Sequence, residues 1–290
     1  MRTLFSSLAL VLLLLCACAA SPETDRAQAE SADLLSQLQQ HGEALLESRR
    51  TLLSDLLFGR VPESAPADAA WFDSAAFVGD SVSVMLEYYN NAHHPLGSAA
   101  FFCAESLSPR NALAAQPGSK RLPEWPKGSG RHPALPEGIA ESGAEKVYLM
   151  LGMNSISGGV DNAAADLVTL VDSILSLSPE AAILIQSVTP MTADSPRTDD
   201  LLNNKTIEQY NLILAGLCRE KGWYYVDAAQ ALTDENGFLR ADYSGDKAMG
   251  IHLNFSGAEA WANYLLTHVP SDLKTTQKQA GETGAAAEGV

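Results

Sequence analysis

The sequence has few cysteines, and none is spaced like the ligands of a metal site. Only four of the 290 residues are cysteine. Cys16 and Cys18 fall at the N-terminus, and Cys103 and Cys218 are either paired with each other or both free. The adjacent histidines 93 and 94 have no third ligand at a sensible spacing. We therefore predict no metal and no cofactor.

Basic residues are also scarce. Nineteen lysines and arginines stand against 35 acidic residues, a formal net charge of −16. Such a chain repels phosphate backbones and has no basic stripe to displace their counterions, so nucleic acid is not an expected partner. A hydrophobic content of 46% is ordinary for a globular protein. The length favours one domain of enzyme size with flanking segments.

The N-terminus has an apolar run, Leu8–Leu15, that is too short to span a bilayer. It follows Arg2 and precedes small residues, which is the layout of a secretory signal. The stretch Leu15–Cys18 also resembles a bacterial lipobox. We predict a signal peptide at residues 1–17 and lipidation of Cys18, which would anchor the protein to the extracytoplasmic face of the cell membrane. The alternative is secretion after cleavage behind Ala19.

The flanking segments differ in composition from the centre of the chain. Leucines recur at roughly helical spacing between about Glu23 and Phe58, so residues 18–70 are predicted to hold the lipid anchor and a helical spacer. Residues 271–290 form a low-complexity tail that we predict to be disordered. The domain proper is expected at residues 71–270.

Within that domain strand and helix patterns alternate. This alternation predicts a three-layer α/β/α domain around a parallel sheet. The strand candidates are 75–78, 99–103, 146–151, 181–188 and 223–226, and the helix candidates are 81–91, 160–177, 201–221 and 256–268.

Polar residues follow several strands, where an open parallel sheet carries its chemistry. Gly79-Asp80-Ser81 follows the first strand, Gly152-Met153-Asn154 follows the third, and His252 precedes the last helix. Taken singly, Ser81 reads as a helix cap, Asn154 as a strand terminator and His252 as a structural histidine. Their joint placement at the sheet ends favours a common site.

These blocks resemble those of the SGNH, or GDSL-like, serine hydrolases, over roughly residues 72–270. "FVGDS" matches the nucleophile block, "LGMNS" matches the third block with Ser155 in place of its aspartate, and "GIHLN" matches the histidine half of the last block. The resemblance implies a flavodoxin-like α/β/α fold and ester hydrolysis by a serine.

Chemistry assigns the roles within this resemblance. Ser81 would attack and His252 would take and return its proton. The Ser81 N–H and the Asn154 amide would stabilise the oxyanion. Gly79 and Gly152 would permit tight backbone turns, Gly152 beneath the oxyanion donor. Asp80 is expected to anchor its turn.

The last block departs from the family pattern, because Met249 stands three residues before His252 where the family has an aspartate. An insertion of about three residues would leave Asp246 as the orienting carboxylate, and Asp242 is a weaker candidate. Otherwise a backbone carbonyl holds the imidazole and the site is a Ser-His dyad.

A second departure lies after the second strand, where Glu105 and Ser106 occupy the place of the family's oxyanion glycine. A non-glycine N–H fills that role only if its conformation permits. Glu105 is expected to face away or to shape the substrate pocket. The Pro/Gly-rich segment 116–138 is either a functional lid or a flexible insertion, in which Trp125 and Arg131 are candidates to contact a sugar.

The resulting hypothesis is an SGNH-type serine esterase that removes acetyl or other short acyl groups from a carbohydrate or cell-envelope polymer. Its expected partners are an acylated carbohydrate or small ester, and the membrane through the lipid anchor. Two alternatives stay open: a glycan-binding surface protein of the same fold with weakened catalysis, and an O-acyltransferase.

Overall fold

The computed structural model describes residues 30–46, 60–195 and 201–273. The predicted signal peptide, Cys18 and the tail beyond residue 273 lie outside the described residues. Residues 30–46 belong to one compact unit, and residues 60–195 and 201–273 belong to another. In the first, residues 30–46 form helix α1, whose leucines 34, 35, 38, 45 and 46 are exposed. Residues 271–273 are helical, and the Tyr224 hydroxyl donates a hydrogen bond to Asp272, so ordered structure passes the predicted domain boundary.

A five-stranded sheet forms the middle layer of the second unit. All neighbouring strands are parallel, in the order β2-β1-β3-β4-β5. This is the flavodoxin-like order, and it confirms the predicted fold class. The strands are β1 Ala75–Gly79, β2 Ala100–Cys103, β3 Lys146–Met150, β4 Ala182–Gln186 and β5 Tyr224–Val226.

Two groups of helices cover the sheet. On one face α2 packs against α7, and on the other α5 contacts α3, α4 and α6. These helices are α2 Ser81–His93, α3 Pro109–Ala114, α4 Leu135–Glu141, α5 Val160–Leu177, α6 Asn204–Lys221 and α7 Phe255–Thr267. The short α3 and α4 were not predicted, although α3 begins with the cap signal of Ser108 followed by proline.

The central strands are apolar because they are buried on both faces. Every residue of β1 and β3 is buried, and the Phe77 ring lies between those of Phe101 and Tyr148, with centroid distances of 5.1 and 4.7 Å. From β1 the chain crosses to β2 on one side and later to β3 on the other. A crevice therefore opens at the carboxyl end of β1, where this sheet topology places ligands.

The two cysteines of the domain remain thiols. Cys103 and Cys218 are both buried and free. Cys103 ends β2. The Cys218 thiol donates a hydrogen bond to the carbonyl oxygen of Tyr224 in β5, at the opposite edge of the sheet. Four strand spacings of roughly 4.8 Å separate these edges, and a disulfide cannot span that distance.

Candidate active site

The turn after β1 separates the cap of helix α2 from the half-buried serine that follows it. Asp80 is the N-cap residue, and its Oδ1 accepts the Val82 N–H at 3.0 Å. Ser81 is therefore the first helical residue, and its hydroxyl is not needed for capping. Its Oγ lies 2.9 Å from His252 Nε2 instead.

Gly79 and Gly152 are needed for close packing and not for a left-handed backbone. Neither has a positive φ. A Cβ on Gly79 would lie 1.9 Å from the Ser83 Oγ, and one on Gly152 would lie 2.5 Å from Val188 Cγ2 and 2.6 Å from Tyr210 Cε1. Only glycine lets α2 approach β1, and the Asn154 turn approach α6, this closely.

A hairpin-like loop brings Asp246 to His252. Gly245 N–H donates to His252 O at 2.8 Å, and Asn254 N–H donates to Tyr243 O at 2.9 Å, so the chain folds back on itself around residues 246–251. His252 Nδ1 forms a short hydrogen bond with Asp246 Oδ2. A separation of six residues thus does what three residues do in the family pattern.

Hydrogen bonds keep the Asp246 carboxyl ionised. Burial raises its pKa, but the hydrogen bonds from the His252 ring and from the Met249 and Gly250 N–H groups outweigh burial, and the net pKa is lowered. An ionised carboxylate only accepts hydrogen bonds, so Nδ1 carries the proton and Nε2 is left to accept one from Ser81. Asp242 instead pairs with Arg240 at 2.6 Å.

Asn154 and Ser106 face the same crevice. The Asn154 Nδ2 donates to Leu107 O at 3.3 Å and to Asp80 Oδ2 at 3.4 Å, which orients its amide. Ser106 has a left-handed φ of 57°, the conformation that glycine favours. The Asn111 side chain holds this turn by donating to Ser106 O at 2.6 Å.

Two backbone donors near these side chains have no acceptor among the residues the structure describes. One is the Ser81 N–H, which belongs to the first turn of a helix and has no intrahelical partner. The other is the Ser106 N–H. The site therefore holds a hydroxyl, an imidazole, a carboxylate, a side-chain amide and two unpaired N–H groups.

Asp80 supports this arrangement from a buried position. Its side chain is 1% exposed. Burial raises the pKa of Asp80 to about 7, against the opposing effects of the Val82 N–H and the nearby His252. Its position as helix cap and partner of Asn154 agrees with the expectation that it anchors the turn.

A cleft of about 520 Å³ opens over Ser81 and His252. Glu105, Ser106 and Asn154 line it together with an apolar set comprising Val84, Met85, Met153, Leu202, Met249, Ile251 and Leu253. Glu105 is exposed at its wall, which fits the predicted role in shaping the pocket.

Trp125 and Arg131, the candidates for a sugar contact, do not line this cleft. The Trp125 ring packs 4.9 Å from that of Phe102, and Arg131 pairs with Glu141. The segment they belong to is held against the domain at several points, because Lys127 also pairs with Glu87 of α2 at 2.6 Å. Sequence reasoning overlooked Lys120 and Arg121 in the same segment.

Residues 30–46, 60–195 and 201–273 contain neither a metal-binding cluster nor a membrane-spanning helix. No group of three or more histidine, cysteine or acidic side chains there is arranged to hold a metal ion. No helix in these ranges has the length and hydropathy needed to cross a membrane.

A serine, a histidine and an aspartate joined by hydrogen bonds at the carboxyl edge of the sheet are the catalytic arrangement of a serine hydrolase. The model of the GDSL-like lipase/acylhydrolase family matches residues 77–260, more than half of the chain. The chain belongs to this family, and it is an ester-hydrolysing serine hydrolase.

Solved structures with the same fold come from several bacteria. A protein proposed to be a platelet activating factor from Streptococcus pneumonia is 18% identical, with 80% of this chain and 97% of that chain covered and a TM-score of 0.50. A GDSL-like lipase from Bacteroides thetaiotaomicron is 14% identical, with 71% and 88% covered and a TM-score of 0.50. At such identities the likeness is one of fold. A comparison with curated proteins gave no significant match.

Proposed function

We propose that the protein is an extracytoplasmic esterase that hydrolyses short acyl esters, acetyl above all, on a carbohydrate or cell-envelope polymer. The observation that carries the catalytic part is the chain of contacts from Asp246 through His252 to Ser81, with the 2.9 Å Nε2 to Oγ distance at its end. A serine in hydrogen-bond contact with a correctly oriented imidazole is an activated nucleophile.

The proposed reaction has two halves. Ser81 Oγ bonds to the ester carbonyl carbon while His252 Nε2 accepts the hydroxyl proton, and the carbonyl electron pair moves onto oxygen. This oxyanion is stabilised by the Ser81 N–H, the Asn154 amide and the Ser106 N–H. Collapse expels the alcohol, which takes the proton from Nε2. Water then attacks the acyl-serine with His252 again as base, releasing the carboxylic acid and restoring Ser81.

Fluorophosphonate labelling tests the nucleophile. We expect one adduct on the protein, none on Ser81→Ala and little on His252→Ala, scored by intact mass. Ser106→Ala is a matched control, because it removes another serine hydroxyl from the cleft and leaves the Ser106 N–H in place. An adduct on Ser81→Ala, or none on the unaltered protein, would contradict the proposal. The second outcome would favour a glycan-binding protein that has lost catalysis.

Support for a carbohydrate comes from an aromatic cluster made of the half-buried Tyr89 and the exposed His93 and Phe255. Their ring centroids lie 4.6 to 6.2 Å apart, and Phe255 is 51% exposed. Tyr89 stands one helical turn beyond Met85 of the cleft wall. An aromatic face of this kind packs against the apolar face of a sugar ring.

Replacing Phe255 tests this placement. Phe255→Ala is expected to raise the KM for an acetylated oligosaccharide several-fold and to leave 4-nitrophenyl acetate hydrolysis unchanged. Tyr88→Ala is the matched control, since Tyr88 is 57% exposed and forms no part of the cluster. Equal KM values in all three proteins would remove the argument for a sugar. Products formed with added acceptor alcohols would separate hydrolysis from acyl transfer.

The proposed location rests on the sequence around Cys18. We expect the mature protein to carry a lipid on Cys18 and to sediment with membranes. Intact mass of the membrane-bound protein would detect the lipid, and Cys18→Ala should abolish it whereas Cys16→Ala should not. Recovery of an unmodified chain beginning at Ala20 would favour plain secretion.

A further inference from the structure

A second cleft, of about 620 Å³, adjoins the catalytic one. Ala104, Glu105, Ser106, Asn111, Lys120 and Arg121 line it. Glu105 and Ser106 also line the catalytic cleft, so the two share a wall. A polymer whose acyl group reaches Ser81 past Ser106 has room to continue into this second cleft.

Two unpaired cations stand at this position in a strongly acidic protein. Arg60, Arg110, Lys127, Arg131, Lys146 and Arg240 each form an ion pair with an acidic side chain. Lys120 and Arg121 form none in the part of the chain that the structure describes, and the same holds for lysines 205, 221 and 247. Lys120 and Arg121 differ from these in being adjacent, exposed and part of one cleft. Adjacent cations without counterions raise the local concentration of anions.

The backbone that carries these cations is anchored. Leu122, the next residue, is 1% exposed, and its N–H donates to Ser119 O at 2.9 Å. Its carbonyl accepts a hydrogen bond from His132 Nδ1 at 2.7 Å, and the Gly118 N–H donates to His132 O at 2.6 Å. Lys120 and Arg121 are thus presented from a fixed turn beside the catalytic cleft.

We propose that this second cleft is a subsite for an anionic group of the substrate, so that the acylated polymer is a polyanionic glycan bearing carboxylate or phosphate groups. This inference rests on the proposed esterase function. Arginine and lysine are the side chains suited to such groups. Glu105 on the shared wall opposes an anion, which leaves a net local charge of one positive unit.

Kinetics on matched substrates test the subsite. The substrates are an acetylated oligogalacturonide, the same oligosaccharide with its carboxylates reduced to alcohols, and 4-nitrophenyl acetate. We expect the Lys120→Gln/Arg121→Gln double variant to raise the KM for the first substrate roughly 3- to 30-fold, the range for two exposed charge contacts. The other two substrates should be unaffected, and Glu105→Gln should lower the KM for the anionic one.

Controls separate a local effect from net charge and folding. Lys205→Gln/Lys221→Gln on α6 makes the same change in net charge away from the catalytic cleft and should leave all three KM values unchanged. Lys120→Arg/Arg121→Lys keeps both charges and should retain the low KM. Unacetylated oligogalacturonide and poly(glycerol phosphate), used as competing inhibitors, show whether the carboxylate or the phosphate is preferred.

The outcomes keep the subsite distinct from the esterase proposal. If esters are turned over but the cation variants behave as the unaltered protein, or if neither polyanion competes, the subsite is overturned and the esterase stands. If no ester is turned over, calorimetric measurement of the binding of both polyanions to the Ser81→Ala protein tests the subsite without catalysis. Binding that weakens with the cation variants supports the subsite, and absence of binding overturns it.

Discussion

The buried carboxyl of Asp80 makes a quantitative prediction about stability and pH. Its pKa is raised from 3.8 to about 7 by burial. At 1.36 kcal/mol for each unit of pKa, this difference corresponds to about 4 kcal/mol. Because the pKa is higher in the folded chain, the associated stability is fully present below pH 4 and is lost as the pH rises towards 7. Above about pH 8 no further change from this group is expected.

The perturbation is Asp80→Asn, which keeps an oxygen to accept the Val82 N–H and removes the titration. Urea unfolding followed by tryptophan fluorescence at pH 4 to 8 gives the free energy of unfolding of both proteins. The difference between the unaltered protein and the variant should decline by about 4 kcal/mol across that range. Subtracting the two curves cancels the titrating groups that do not interact with Asp80.

A control with the opposite sign is available in Asp242. The hydrogen bond from Arg240 lowers its pKa, so its contribution is present above about pH 4 and is lost on acidification. The Asp242→Asn difference curve should therefore be nearly flat between pH 4 and 8 and should fall only when the measurement is extended below about pH 4. A difference curve for Asp80→Asn that is flat, or that rises with pH, would refute the account of a buried, proton-retaining carboxyl.

Three further substitutions address the site directly. Asp246→Asn should lower kcat by roughly 10³- to 10⁴-fold, because an amide no longer holds the imidazole in its required tautomer. Asp242→Asn should leave kcat unchanged, and similar kcat values for the two variants would contradict this assignment. Gly152→Ala should cost about 1 to 3 kcal/mol of unfolding free energy through overpacking and should displace Asn154, which an unaltered urea midpoint would disprove. Ser106→Pro removes the backbone N–H and excludes a positive φ, so kcat should fall by roughly 10²-fold. The Ser106→Gly protein should remain fully active. Full activity of the proline variant would exclude the Ser106 N–H as an oxyanion donor.

The fold was predictable because its signals are local. Buried parallel strands are short apolar runs, and amphipathic helices have their own period, so the central elements were found to within a few residues. The helix α5 was predicted with its observed bounds. Helix α6 begins at Asn204 rather than Leu201, because Asn203 and Thr206 form a capping box whose signal was not used. Topology followed from the rule that alternating elements build a parallel sheet.

The partner of His252 could not be decided from the sequence. The contact with Asp246 depends on the backbone pairing of Gly245 with His252, which a family spacing of three residues does not anticipate. The glycines of this loop were the sequence feature that could have indicated this fold-back of the chain. Gly250 has a φ of 66°, and a Cβ on Gly245 would lie 2.5 Å from Leu253 O, so each marks a place where the chain turns or closes on itself.

By itself the sequence determined the sheet, its helices and the three blocks that contribute Ser81, Asn154 and His252, because hydrophobic periodicity and short motifs are properties of neighbouring residues. Tertiary structure decided what depends on distance through space: that Asp80 caps the helix and frees the Ser81 hydroxyl, that Asp246 holds the imidazole, and that two cations line a cleft adjoining the catalytic one. Such contacts join residues whose separation along the chain carries no information about their approach, and only the packed sheet and its loops bring them together.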